Sequence, residues 1–218
     1  MYQLIGLFQQ DPRQALIYLL SVLLAMCIAV SFHEYAHAFV AYKLGDPTAK
    51  NLGRMTLDPT KHLDWLGLIC FVVFRIGWAK PVLVNPRNLK HYRRDDVLIS
   101  IAGPLTNLIL SFLFFGAWFF LCLIHGVGGN TLSEVLSTIS SINLSFAIFN
   151  ILPIPPLDGF HVVTSLFVRK SYKVVEVLQR YGFLILLVLL ISGVLSTVFS
   201  AIFGTVSGWF ISFYSLFL

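Results

Sequence analysis

Two histidines one helical turn apart, with a glutamate beside the first, give His33-Glu34-Tyr35-Ala36-His37 the clearest chemical content in this sequence. On a helix, positions i and i+4 share a face, so both imidazoles can reach one metal ion. Glu34 cannot point the same way as both histidines; it is placed to hold a water and take its proton. Catalytic zinc wants three protein ligands plus an open position, so two histidines are not enough. Of the ten acidic residues, only Glu34 and Asp158 fall inside apolar spans; the rest lie in loops or at span ends. An ionisable group in hydrocarbon costs roughly 2.5–3.5 kcal/mol on insertion scales, which makes both candidate functional residues. Asp158 is the natural third ligand.

Depth along the chain supports that pairing. His33 lies ten residues before Lys43, and Asp158 eleven before Arg169. At 1.5 Å per residue both sit roughly 15 Å from the basic helix ends, near a bilayer midplane. Around Asp158 the chain reads Asn150-Ile-Leu-Pro153-Ile-Pro155-Pro156-Leu-Asp158-Gly159. Three prolines in four positions cannot continue a helix, so the span breaks here. Non-helical backbone at that depth is tolerated only against protein or a wet cavity, which suits a hydrolase whose second substrate is water. Asn150 either aims an amide donor at a developing oxyanion or caps the broken helix. His161, three residues after Asp158, is a packing histidine or a spare ligand. His62, His91 and His125 read as surface residues, and Gly103-Pro104 with Asn107 as helix-packing residues, the proline fitting the first turns of a span from Val97.

The elements that carry these groups belong to a membrane protein. Apolar residues make up 57% of the 218 and charged ones 11%, against roughly 45–50% and 25% for soluble domains. That excludes a disordered chain and a disulfide framework; Cys27, Cys70 and Cys122 all sit inside apolar runs without metal-like spacing. The net charge of +5 forms no continuous basic face, so nucleic acid is not expected as a partner. Uncharged stretches run from Gln14 to Phe32 (apolar on to Tyr42), Val97 to Ser133 with a turn at Gly126 to Asn130, Leu136 to Leu157 resuming at Gly159, and Tyr181 to Leu218. The last is read as one span over about 182–203 plus a shorter segment beyond Gly204. Trp65 to Phe74 is too short to cross and reads as re-entrant or interfacial. The expectation is an all-α polytopic fold of about four to five transmembrane helices, with that short segment and small β elements at the cytoplasmic face. The residues 1–218 form one domain, a catalytic core at about 15–170 followed by C-terminal helices at about 174–218. The first apolar run lacks a basic lead and a cleavage site, and reads as a retained helix. Basic residues cluster at 43–61, 75–94 and 169–180, and by the positive-inside rule these segments face the cytoplasm.

At these residues the sequence resembles the site-2 protease family of intramembrane zinc metalloproteases, in its short bacterial branch without PDZ or CBS domains. The first helix carries that family's HExxH motif, and Asn150 to Gly159 resembles its second, an Asn and prolines leading into Leu-Asp-Gly. Gly53-Arg54-Met-Thr-Leu-Asp58-Pro59 with His62 and Asp64, Gly77-Trp-Ala-Lys-Pro81 with Val84-Asn85-Pro86, and Ala102-Gly103-Pro104 with Asn107 resemble further blocks; Asp58 departs from an expected Asn. The resemblance covers roughly residues 25 to 170. It implies one zinc ion per chain held by His33, His37 and Asp158, with Glu34 as general base and later proton donor. It implies a substrate that is a transmembrane or membrane-proximal segment of another protein, and a bacterial plasma membrane with the site reached from the cytoplasmic side. A helical substrate hides its carbonyls in its own hydrogen bonds and must unwind before the cut. An edge strand at Pro81, Val82, Leu83 and Val84 could receive it by strand addition. The alternatives are a metal or proton transporter using the same midplane residues, disfavoured by the lack of a repeat, and a silent member that binds membrane partners, disfavoured by an intact Glu34.

Overall fold

In a computed structural model, the described residues are 6, 9–74, 77–125, 131–167 and 172–218. The turn expected at Gly126 to Asn130 and the basic pair Arg169-Lys170 lie outside them. The chain begins its first long helix where local chemistry dictates. Asp11 accepts from the backbone N–H groups of Arg13 and Gln14 at 3.0 and 3.1 Å, and Pro12 occupies the first turn, where a missing N–H costs nothing. Helix α1 (Pro12–Lys43) buries Ala15, Ala25, Ala29, Ala38 and Ala41 completely. Small side chains on that face let two further helices approach closely, α4 (Tyr92–His125) and α5 (Thr131–Ile151). These three helices pack pairwise and form the centre of the molecule. Between α1 and α4 come a single turn, α2 (Thr48–Asn51), and the short helix α3 (Trp65–Phe74), which Asp64 caps at 3.0 Å through Leu66 and Gly67.

Helix α4 starts at Tyr92, five residues ahead of the expected Val97, because Asp95 accepts from His91 N–H at 2.9 Å and from Arg94 at 3.0 Å. Pro104 therefore lies in the helix interior and not in its first turns. It offers no N–H to the Ser100 carbonyl and loosens the turn around it. After α5 the prolines break the chain as expected, and α6 (Asp158–Phe167) restarts at Asp158 and packs on α4. Gly159 touches the Ile151 and Leu152 carbonyls so closely that no side chain fits. The close approach folds the start of α6 back against the end of α5.

The C-terminal region differs from the hydropathy reading. Its helices α7 (Tyr172–Ile191) and α8 (Val194–Tyr214) meet at Ser192-Gly193, not near Gly204, which lies inside α8. Gly193 adopts φ +77°, a left-handed turn that a count of apolar residues does not register. Helix α7 touches the broken segment where Gly182 meets Pro155. Helix α8 is fixed at its end, where the Tyr214 hydroxyl donates to Phe112 O at 2.9 Å and the ring fills the space left by Gly116. Among the described residues five helices, α1, α4, α5, α7 and α8, are long and apolar enough to cross a membrane.

Among the described residues no strand forms. Residues 77–85 form no helix, and make one antiparallel bridge between Ala79 and Leu63 beside a bond from Lys80 N–H to His62 O at 2.7 Å. Pro81 and Pro86 remove donors that a ladder would need, and side chains take the N–H groups of Val82 and Asn85.

Candidate metal centre

His33 and His37 project from the middle of the buried face of α1 towards α4, and Asp158 reaches them from the first position of α6. The proton positions on both rings follow from their outer partners. Asn107 of α4 donates its amide to Ala29 O at 3.0 Å and to Asn143 Oδ1 at 2.9 Å. Its oxygen is thereby turned to His33 Nδ1 at 2.6 Å, so that nitrogen carries the hydrogen. His37 Nδ1 faces the Ile99 carbonyl at 2.7 Å, which can only accept. Both Nε2 atoms therefore present lone pairs inward.

These lone pairs converge. The two Nε2 atoms are 3.0 Å apart and lie 3.1 and 3.3 Å from Asp158 Oδ2. Asp158 Oδ2 is buried and no hydrogen-bond donor reaches it. Three lone-pair atoms converging at this spacing form a site for a cation. Zinc–ligand bonds of about 2.0–2.2 Å in a tetrahedron place ligand atoms about 3.3–3.6 Å apart, a few tenths of an ångström wider than the observed triangle. Gly103 of α4 completes the cradle, since a Cβ there would strike His37 Nε2 and lie 2.6 and 2.7 Å from His33 Cε1 and Nε2. The residues fit zinc. Both histidines are buried while the Asp158 side chain keeps 23% of its surface open, which leaves an approach on that side.

Glu34, 8% exposed, is not a member of the triangle. Its Oε2 accepts from Val82 N–H at 2.9 Å. Of the segment expected to receive a strand, Val82 thus has its N–H occupied, Leu83 is exposed, and Val84 packs on a cluster of Ala41, Leu89 and Ile99. Asn150 donates its amide to Phe146 O at 3.1 Å, within its own helix. His161 lies 3.9 Å from Asp96, which Ser165 also contacts, and outside the ligand triangle. His62 is fully buried with Nε2 2.8 Å from Thr56 O, and is not the surface residue its loop position suggested.

Gly103 and Asn107 read from sequence as packing residues, yet they touch or orient the ligands. The available signal was a buried amide one turn after a glycine in an otherwise apolar helix. Asn107→Leu should lower zinc affinity about 10–100-fold, as loss of a ligand's hydrogen-bond partner does elsewhere; a metal-competition titration measures it.

The chain is 43% identical over 178 residues to the protein of Bacillus subtilis (strain 168) named "Putative zinc metalloprotease YwhC", covering 78% of this chain and 80% of that one. It is 34% identical over 157 residues to MJ0611 of Methanocaldococcus jannaschii (72% and 75% covered), and 28% identical over 179 residues to Rip2 of Mycolicibacterium smegmatis (80% and 66% covered). Both of those bear the same description. No solved structure matches. The family model for peptidase family M50 matches residues 123–189, the stretch that holds the proline break and Asp158. With a relative of this identity aligned over four-fifths of its length, the chain belongs to peptidase family M50, the site-2 protease family.

Proposed function

We propose that this protein is a zinc-dependent endopeptidase that cuts other membrane proteins within or beside their transmembrane segments. The carrying observation is the triangle of His33 Nε2, His37 Nε2 and Asp158 Oδ2, with Glu34 one residue away, on helices apolar enough to span a membrane. The three ligands would hold the ion, and zinc when bound supplies Lewis-acid activation of water and of the scissile carbonyl. Glu34 takes the proton of the attacking water and returns it to the departing amine, so the net reaction adds one water across one peptide bond. Asn107 and Ile99 hold the hydrogen of each imidazole on Nδ1 and keep both rings aimed inward. The basic clusters flanking α1 and α4 support a site reached from the cytoplasm, and relatives in two bacteria support a plasma-membrane setting.

Because hydrolysis needs an accessible carbonyl, segments with helix-weakening residues should be preferred. The test reconstitutes purified protein in liposomes with a panel of single-span segments, some carrying a central Asn-Gly or Pro, others uniformly Leu and Ala. Cleavage inside or beside the weakened spans, and little in the uniform ones, is expected. Cleavage of soluble casein but of no panel member would remove the membrane-substrate part of this reading.

A further inference from the structure

We propose that the segment from Ala79 to Asn88 is a strap that positions Glu34, with the Val82 backbone N–H as its contact point; this rests on the zinc-protease reading above. Neighbouring side chains on a helix diverge by about 100°, so Glu34 cannot follow His33 towards the ligand triangle unaided. A glutamate also has three side-chain torsions to fix. The bond from Val82 N–H to Oε2, at 2.9 Å, selects one arrangement and leaves Oε1 for proton transfer.

The strap is built to hold that N–H in place, because it is pinned on both sides. Upstream, Lys80 N–H donates to His62 O at 2.7 Å, Ala79 bridges to Leu63, and Arg54 donates to Lys61 O at 2.8 Å and approaches Lys80 O at 3.5 Å. Gly67 of α3 admits the Trp78 backbone at a distance no side chain would allow. Downstream, Asp46 is completely buried just after α1 and accepts from Asn85 N–H and the Asn88 amide, each at 2.7 Å, and from Thr48 N–H at 3.1 Å. Burial alone would push the Asp46 carboxyl up; the bonds from Thr48, Asn88 and Asn85 outweigh it and hold the group below the usual carboxylate range. Val84 and Leu89 then pack with Ile99, whose carbonyl orients His37. One continuous element therefore bears on the base directly and on a metal ligand through its packing.

Val82 is accordingly a positioning residue whose side chain is dispensable and whose N–H is not. The decisive variant replaces Val82 by its α-hydroxy acid, giving a backbone ester that keeps the side chain and deletes only the N–H. Zinc content and binding of acetohydroxamic acid, a zinc-directed probe that also needs a well-placed carboxylate acceptor, are measured on detergent-purified protein. The ester should keep the zinc of wild type and bind the probe about tenfold more weakly, the scale of one hydrogen bond to a charged group. Val82→Ala, which retains the N–H, should bind like wild type. In a Glu34→Ala background, which deletes the acceptor, the ester should add little, because both changes remove the same interaction. Wild-type probe affinity in the ester, an equal loss in Val82→Ala, or full additivity with Glu34→Ala would each overturn the strap's role. A wild type without zinc would instead overturn the zinc-protease reading, and this inference with it.

Discussion

Glu34→Gln should reduce peptide hydrolysis about a thousandfold, within the range for losing a general base, while the purified protein keeps the zinc of wild type. Asp158→Ala should lose activity and most of the metal together. The split follows from geometry. Asp158 Oδ2 stands 3.1 and 3.3 Å from the two Nε2 atoms and closes the ligand triangle, so its removal leaves two histidines and an open face. Glu34 stands outside the triangle, and its Oε2 accepts from the Val82 backbone N–H. Gln keeps its length and an acceptor oxygen for Val82, but it cannot take a proton. Zinc by mass spectrometry and turnover on a weakened single-span segment, taken side by side, measure both quantities. If Glu34→Gln lost zinc as fully as Asp158→Ala, Glu34 would be a ligand and the assignment of base and ligands would be wrong.

The cluster of His33, His37 and Asp158 was readable in the sequence for a physical reason. Charges are so costly in hydrocarbon that Glu34 and Asp158 stood out against an apolar background, and helical spacing alone put His33 and His37 on one face. The break at Pro153, Pro155 and Pro156 was equally plain, since proline leaves a helix little choice. The residues that orient the ligands were harder to see. Asn107 is one amide in a long apolar helix, and only the fold shows its oxygen against His33 with both amide hydrogens committed elsewhere. An edge strand was expected at Pro81 to Val84, yet Val82 and the following Asn85 spend their N–H groups on Glu34 and Asp46, side chains distant in sequence. The α7–α8 turn was misplaced because one left-handed glycine at 193, not a fall in hydropathy, ends α7.

A single methyl group on α4 is expected to be nearly as damaging as loss of a ligand. In Gly103→Ala the new Cβ would strike His37 Nε2 and lie 2.6 and 2.7 Å from His33 Cε1 and Nε2, all closer than real Cβ contacts allow. Relief requires either the rings or the helix to move, and both are held. Ile99, one turn before Gly103, receives His37 Nδ1 at 2.7 Å, and Asn107, one turn after, receives His33 Nδ1 at 2.6 Å. Retreat of α4 would break both bonds and turn the lone pairs away from the ion; rotation of the rings in place would do the same. Overpacking of this kind costs about 1–3 kcal/mol in ordinary cores, and here the strain falls on the atoms that bind metal. Zinc affinity should fall at least about 100-fold, the upper end for disturbing a ligand's support. Gly204→Ala supplies the control, since that position on α8 has nothing within 4 Å of a new Cβ; it should bind zinc as wild type does. Metal competition on both variants, with helix content checked by circular dichroism, separates a damaged site from a damaged fold. Full zinc affinity in a well-folded Gly103→Ala would mean that α4 does not press against the histidines, and the fit of this cradle to a metal would fail with it.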